Sequence, residues 1–215
     1  MIQEIGNRLF VKTDAFYQAY IKNSPQTQSC WNDHTFKNEK NAEESSVIRQ
    51  LAEIHKTSES KFRLIFSSEQ SQLNENTLYD SLKGFNNIYA VVKDTSGNIF
   101  GAFVTSPPSQ KNRAVVDKKH CCFRVARNNM WELHIYTPKH AVESFVIFNE
   151  SAFAFCVPYA FAIGINGVST ISPKFWETYD ENPSTKVPTE ITANVFNSTK
   201  ARETFGVEWV KVFVC

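Results

Sequence analysis

Residues 91–104 of the chain read VVKDTSGNIFGAFV, two apolar runs on either side of a short polar turn. The full runs, Ile88–Lys93 and Ile99–Val104, are rich in β-branched and aromatic residues, as is typical of strands. Asp94 can accept a hydrogen bond from a backbone N–H two residues on, and Gly97 supplies the positive φ of a type I turn with a G1 bulge. The stretch therefore predicts a β-hairpin.

The hairpin is expected to lie in the core. Its first strand has two apolar faces, with Ile88, Ala90 and Val92 on one side and Tyr89 and Val91 on the other. A strand buried on both faces belongs inside a sheet that is covered above and below. We expect Phe100 and Phe103 to be buried, and Gly101 to allow a neighbour to approach closely because it lacks a side chain.

The rest of the chain carries mostly strand patterns. Further strands are predicted at Phe62–Ser67, Cys121–Ala126, Trp131–Tyr136, Phe145–Phe148, Ala152–Val157, Tyr159–Ile165, Val168–Ile171 and Val207–Cys215. Helices are predicted at Ala15–Lys22, Glu44–Thr57 and Asn74–Lys83, with a loop over residues 23–41. Many short antiparallel strands and few helices predict a mostly β, α+β domain, a two-sheet antiparallel β-sandwich flanked by short helices. We expect it to span residues 44–215, after an N-terminal helical or loop arm at 1–43.

One predicted strand has an unusual pair of faces. Across Tyr159–Ile165 the large side chains alternate with Ala160, Ala162 and Gly164, which leave one face nearly flat. A flat face predicts close packing against a neighbouring sheet or helix. Asn166-Gly167 then gives a two-residue hairpin signal.

Composition limits the function classes. The chain has 23 basic and 22 acidic side chains and a net charge of +1, whereas nucleic-acid binding normally needs a strong positive excess. Its cysteines are odd in number and irregularly spaced, which favours a reducing compartment. The first residues are charged throughout, unlike a signal peptide. The most apolar stretch, Ser151–Ile165, is shorter than the ~20 residues of a membrane helix. These features predict a cytoplasmic protein without a transmembrane segment.

Five segments together resemble the TLDc domain, the module of the oxidation resistance proteins. They are FRLIFSSEQSQLNENTLYDSL, IYAVVKDTSGNIFGAFVTSP, SFVIFNESAFAFCVPYAFAIGING, WETYDENP and FGVEWVKVFVC. The resemblance covers about residues 61–215 and identifies the chain as a divergent member. Its family-motif positions are Asp94, Gly97, Phe100, Gly101, Gly164, Gly167 and Glu208. The segment WETYDENP stands where the family has a loop.

The resemblance implies a two-sheet sandwich flanked by helices. It also implies protection against oxidative stress and binding to the cytosolic part of the vacuolar proton-pumping ATPase. On this basis the chain is expected to be a non-enzymatic protein-interaction module and a monomer, recruited to endolysosomal membranes through a protein partner. No cofactor is expected.

An enzyme remains the alternative. Ser67–Glu69 lie at a strand end, and His120, His134 and His140 are candidate bases for a hydrolase, although sequence order cannot show that they meet. The Cys121–Cys122 pair could serve a redox enzyme if one pKa were lowered. Adjacent strand residues point to opposite faces, so the pair is not expected to share a metal ion, and one buried cysteine beside an exposed one is expected.

A local charge bias marks a candidate interaction patch. Between residues 109 and 127 the basic side chains Lys111, Arg113, Lys118, Lys119, Arg124 and Arg127 face one acid, Asp117. Lys111, Arg113, Lys118 and Lys119 form the predicted patch, which could meet an acidic protein surface or anionic headgroups. The alternative for this segment is a solvated loop with the outer face of a strand. A third hypothesis for the function is a scaffold fragment, in which residues 1–43 are the remnant of a longer partner-binding arm.

Overall fold

The computed structural model describes residues 33–149, 152–166, 168–181, 195–197 and 203–215, with side chains from Ala42 onward. The backbone divides into two units, residues 1–43 and residues 44–215, and the sandwich belongs to the second. A partner-binding arm at residues 1–43 stays a prediction. The helix predicted at Ala15–Lys22 lies outside the described residues.

Two antiparallel sheets form the domain. The helices are α1 (Asp33–His55), α2 (Glu75–Leu82) and α3 (Phe175–Thr178), with a 3-10 turn at Glu59–Lys61. The strands are β1 (Arg63–Ser67), β2 (Ile88–Asp94), β3 (Ile99–Val104), β4 (Val115–Val116), β5 (Cys121–Arg127), β6 (Met130–Pro138), β7 (Glu143–Ile147), β8 (Phe153–Val157), β9 (Phe161–Gly164), β10 (Ser169–Ile171), β11 (Tyr179–Glu181), β12 (Thr204–Phe205) and β13 (Val207–Val214). One sheet has the order β1-β13-β2-β3-β5-β6-β11 and the other β12-β10-β9-β8-β7-β4. The predicted mostly β sandwich is confirmed.

The hairpin predicted from residues 91–104 is present as β2 and β3, which pair along their whole length. Gly97 has a φ of +78°, and its N–H donates to the Asp94 carbonyl oxygen at 3.1 Å. Oδ1 of Asp94 accepts from the N–H groups of Ser96 and Asn98, each at 2.9 Å. The turn chemistry predicted from Asp94 and Gly97 is confirmed.

The hairpin is covered on both sides, as its two apolar faces predicted. Ile88, Ala90, Val92 and Phe100 face the core between the sheets. Tyr89, Val91 and Phe103 face outward and pack in a second cluster with Val47 and Leu51 of α1. The result is three layers, in which α1 covers the seven-stranded sheet and that sheet covers the six-stranded one.

Gly101 allows the close approach that the sequence predicted. A Cβ built at this position would overlap the Ala90 carbonyl oxygen and lie 2.8 Å from Cζ of Phe123 on β5. The Phe123 ring, which is fully buried, occupies the space that a side chain at residue 101 would need.

The loop predicted over residues 23–41 is wrong for residues 33–41, which belong to α1. This half of the helix lacks apolar periodicity, so its sequence gives no amphipathic signal. Packing of Val47 and Leu51 fixes the C-terminal half of α1. Once a helix is nucleated, each further residue adds a backbone hydrogen bond at little cost, so the helix extends toward its N-terminus.

The prediction around Tyr159 and Gly164 needs two corrections. Tyr159 lies in the β8–β9 turn with a φ of +63° and is 46% exposed, so the strand begins at Phe161. At Gly164 the close neighbour is not another sheet or a helix. It is the backbone of Val168, whose carbonyl carbon would lie 2.9 Å from an added Cβ. The β9–β10 hairpin folds back tightly on itself; Gly167 in its turn lies outside the described residues.

Replacing Gly97 and Gly84 by alanine separates backbone strain from steric overlap. Both glycines have a φ of +78°, so each alanine costs about 1–2 kcal/mol for the left-handed backbone. An added Cβ at residue 97 would lie 2.6 Å from the carboxamide carbon of Asn129, whereas nothing lies within 4 Å at residue 84. In urea unfolding we expect Gly97→Ala to lose about 1 kcal/mol more than Gly84→Ala, because the exposed Asn129 side chain has to turn aside. Equal losses would contradict the close packing at this turn.

Candidate interaction surface

The connection between β3 and β5, residues 105–120, carries the predicted patch and is called the basic loop. It is fixed to the domain by backbone and side-chain hydrogen bonds. The Tyr79 hydroxyl of α2 donates to the Ser109 carbonyl oxygen at 2.7 Å, and the Asn112 N–H donates to that of Ile147 at 2.8 Å. Within the loop, β4 pairs with β7. A loop held in this way presents its charges in fixed positions.

Asp117, the single acid between residues 109 and 127, points into the domain and is 7% exposed. Its Oδ2 accepts from the Thr105 N–H at 2.5 Å and its Oδ1 from the Lys119 N–H at 2.8 Å. Burial opposes ionisation, but these backbone bonds and the nearby His120 lower the pKa of the carboxyl group overall. The Asp117 carboxylate therefore binds backbone N–H groups inside the fold and is turned away from the exposed cations.

Three of the four predicted patch cations, Arg113, Lys118 and Lys119, are exposed. The fourth, Lys111, is half-buried against α2, where its Nζ contacts Oδ1 of Asn76 and lies 5.8 Å from the centre of the Tyr79 ring. Two described acids lie close to the loop, Asp80, which pairs with Lys83 at 2.7 Å, and Glu143 on β7. The loop therefore presents a net positive surface.

Arg124 does not belong to this surface, although it lies in the basic stretch between residues 109 and 127. It is 6% exposed on the inner face of β5, and Nη1 donates to the Val195 carbonyl oxygen at 2.7 Å. Nη2 lies 3.7 Å from Oε2 of Glu132. That carboxylate lies 3.2 Å from Nε2 of His134, whose Nδ1 lies 2.5 Å from Oε1 of Glu181. The arginine thus links β5 to a polar network that reaches the surface at Glu132.

A second polar junction surrounds His120, which is 1% exposed. Its Nδ1 lies 2.9 Å from the Phe103 carbonyl oxygen and must donate to it, because a carbonyl oxygen only accepts. Nε2 lies 3.0 Å from the Tyr179 hydroxyl and 3.8 Å from Sγ of Cys122. The same hydroxyl lies 3.2 Å from the Pro158 carbonyl oxygen. The junction therefore connects β3 and β11 of one sheet to the β8–β9 turn of the other.

Cys121 and Cys122 are both buried, so the expectation of one buried and one exposed cysteine is wrong. β5 lies between β3 and β6, with α1 packed on its outer face, and both of its faces are covered. Burial raises the pKa of the Cys121 thiol to about 12 and that of Cys122 well above its ordinary value. Although Cys122 lies beside an imidazole, it is a protonated and enclosed thiol in this fold.

Ser67, Ser68 and Glu69 have structural contacts. The Ser67 hydroxyl accepts from the Glu69 N–H at 3.3 Å, and the Ser68 hydroxyl from the Val210 N–H at 2.8 Å. Oε2 of Glu69 lies 3.2 Å from Nζ of Lys211. The three candidate histidine bases lie in other parts of the domain, His120 beside Phe103, His134 beside Glu181 and His140 in a groove with Glu143. The structure does not bring these serines and histidines together.

The predicted family-motif residues fall into two groups. Asp94, Gly97, Phe100 and Gly101 are buried in the hairpin and Gly164 in β9. Glu208 is half-exposed at the start of β13, and its carboxylate lies 3.3 Å from Nζ of Lys93. Most of these positions are thus in the fold's interior, and their role as family-motif residues stays a prediction.

A groove of about 420 Å³ opens beside the His120 junction. Its walls include Tyr159 and Thr178, the chain neighbours of Pro158 and Tyr179, together with the polar side chains of His140, Glu143, Lys174 and Glu177. The positions of Tyr159 in the groove and Tyr179 in the junction were not predicted from the sequence. The three-residue spacing of Trp176 and Tyr179 could have indicated a short helix before a buried tyrosine. Nothing in the sequence signals the positive φ of Tyr159, because closure of the turn imposes it.

Two further kinds of site, for a metal ion and for a membrane, are absent from the described ranges. No group of three or more His, Cys, Asp or Glu side chains there is arranged to hold a metal ion. In the same ranges no helix is long and apolar enough to cross a membrane. The expectation that the protein needs no cofactor stays a prediction.

His120 is expected to make the fold less stable in acid. Burial lowers the pKa of its imidazole below the ordinary value of 6.5, against the raising effects of Phe103 and Asp117. The unfolded chain therefore binds this proton first, and the free energy of unfolding falls as the pH drops below about 6.5. His55, whose pKa is also lowered by burial, adds to the loss.

In urea titrations between about pH 7 and pH 5 we expect His120→Gln to lose less free energy of unfolding than the wild-type protein. His55→Gln should show a smaller effect, because His55 is less buried. If His120→Gln kept the wild-type pH dependence, the neutral buried imidazole would be contradicted.

Cys121 and Cys122 are expected not to react in the folded protein, since their raised pKa values leave almost no thiolate at neutral pH. Iodoacetamide should label them only when the domain unfolds, as measured by mass spectrometry of peptides. Half-buried Cys215 is the internal control and should react first because it is more accessible. Rapid labelling of Cys122 without denaturant would contradict this result and favour the redox-enzyme alternative.

The sequence is similar to a known protein family over most of its length. Residues 36–208 match the family model of the TLDc domain. No curated protein matches the chain. The matched region contains the hairpin, the basic loop and the His120 junction, and it covers well over half of the sequence. The chain belongs to the TLDc domain family.

Proposed function

We propose that this TLDc domain is a non-enzymatic protein-binding module whose basic loop docks on an acidic surface of the cytosolic part of the vacuolar proton-pumping ATPase. The observation that carries the proposal is the set of exposed cations on the basic loop, whose only acid, Asp117, is turned into the fold. Family membership supports the choice of partner and a link to protection against oxidative stress.

The contacts of the enzyme candidates support a binding function. The hydroxyls of Ser67 and Ser68 are bonded to backbone N–H groups, and Glu69 pairs with Lys211. Cys121 and Cys122 are enclosed, with raised pKa values. A nucleophile must reach both its base and its substrate. Among the described residues, these groups instead hold the sandwich together.

The charges of the basic loop would act mainly on encounter and orientation. Exposed complementary charges raise the association rate and are screened by salt, over about 8 Å at physiological ionic strength. Because the loop is anchored to α2 and β7, its backbone needs no ordering when a partner binds, and only the cationic side chains lose freedom. On this proposal the protein is a cytoplasmic monomer that reaches endolysosomal membranes through the pump.

An affinity experiment with matched charge reversals tests the proposal. Wild-type protein, immobilised and exposed to cytosol plus solubilised membranes containing intact pump, should retain the cytosolic pump subunits. The triple variant Arg113→Glu, Lys118→Glu, Lys119→Glu should retain at least about tenfold less at low salt, because attraction becomes repulsion. Lys111 is left unchanged because it contacts α2.

The control reverses the same number of exposed charges elsewhere, at Lys56, Lys61 and Lys174, and should retain the pump like the wild type. Equal urea unfolding curves establish that both triple variants are folded. Failure of the wild-type protein to retain any pump subunit would overturn the choice of partner. Equal loss in both variants would overturn the assignment to the basic loop.

A further inference from the structure

Among the described residues, β4 in the basic loop is an edge strand. β4 is the last strand of the six-stranded sheet, and its one described neighbour is β7. Val115 of β4 pairs with buried Phe145, whereas Val116 pairs with Glu143 and is 64% exposed. An edge strand presents unpaired backbone N–H and C=O groups and can template a further strand.

The charges around this edge restrict what can pair with it. Arg113 precedes β4 by two residues, and Lys118 and Lys119 follow it directly after Asp117. Two copies of this edge placed side by side would bring like charges together, which disfavours self-pairing. An acidic segment would meet the opposite charge at both ends of β4 and an exposed valine in the middle.

We propose that the β4 edge receives an extended acidic segment of a partner protein, which adds a strand to the six-stranded sheet. This inference rests on the proposed function of the basic loop as a docking surface. Backbone hydrogen bonds to the residue of β4 whose N–H and C=O point away from β7 fix the register, and side chains give specificity. Apolar residues of the segment lie beside Val115 and Val116, and acidic residues lie beside Arg113 and Lys118.

The side-chain pattern follows from the cross-strand neighbours. Glu143 shares a face with Val116, so an acid directly beside Val116 would face a like charge two strands away. An apolar residue there packs on the exposed valine instead. The segment expected is therefore two apolar residues with Asp or Glu two positions away on each side, the spacing of Arg113 and Lys118 from β4.

A synthetic peptide, acetyl-Glu-Asp-Ser-Val-Val-Ser-Asp-Glu-amide, tests this geometry with the purified full chain. Its binding should weaken with salt, and in amide NMR it should shift the backbone N–H groups of residues 114–117 and protect those that point away from β7, which excludes the Asp117 N–H bonded to Oγ of Ser144. The same peptide with both valines N-methylated keeps its charge but loses the valine N–H that faces β4, whichever of the two it is. It should bind at least about tenfold more weakly. Equal binding of the two peptides would reduce the surface to a purely electrostatic one and overturn the added strand.

Val116→Asp provides the matched variant, with Val168→Asp as its control, since Val168 is also exposed, at 53%, but lies between β9 and β10. Val116→Asp should weaken peptide binding at least about tenfold, whereas Val168→Asp should leave it unchanged. Binding to phosphatidylserine vesicles without binding to the peptide would overturn the inference in favour of a lipid surface.

The two proposals can fail separately. If the pump is retained equally by wild-type protein and Val116→Asp, the added strand is wrong while the proposed function stands. If the pump is not retained but the peptide binds with the expected edge dependence, the choice of pump is wrong while the docking edge stands.

Discussion

Burial of the β2–β3 hairpin on both faces is the constraint on which the rest of the domain depends. The first strand has Ile88, Ala90 and Val92 on one face and Tyr89 and Val91 on the other. Leaving either face in contact with water would be unfavourable for folding. Burying a large apolar side chain contributes roughly 1.5–3 kcal/mol. The six-stranded sheet covers one face and α1 covers the other. Without either layer, one apolar face of the hairpin would be exposed to water.

Polar contacts then fix how these layers meet. Lys211 on β13, 6% exposed, lies 3.1 Å from a Glu44 oxygen of α1 and 3.2 Å from one of Glu69. Breaking a buried pair leaves an uncompensated charge, so such contacts select one docking position of the helix. At the far end of the hairpin, Asn98 accepts from Asn128 and holds Asp94, which aligns two turns.

The same distinction between inward and outward polar groups creates the interaction surface. Asp117 and Arg124 belong to one basic stretch of sequence, and both are turned into the fold, where each bonds to a backbone group. The exposed cations Arg113, Lys118 and Lys119 are left without that acid. Because α2 and β7 hold the basic loop, the proposed site is a rigid edge with charges at its ends.

The sequence by itself determined the hairpin, its turn and its two faces, because period-two alternation and the demands of Asp94 and Gly97 are local properties. It also predicted the helix from Asn74 and the basic loop. It did not determine that residues 33–41 are helical, that Cys121 and Cys122 are both buried, or that Tyr159 has a positive φ. Only the tertiary structure decided these features, since each depends on packing between distant parts of the chain, which reaches the helix through Val47 and Leu51. The direction in which Asp117 points is of the same kind, and it separates a neutralised loop from a basic docking surface.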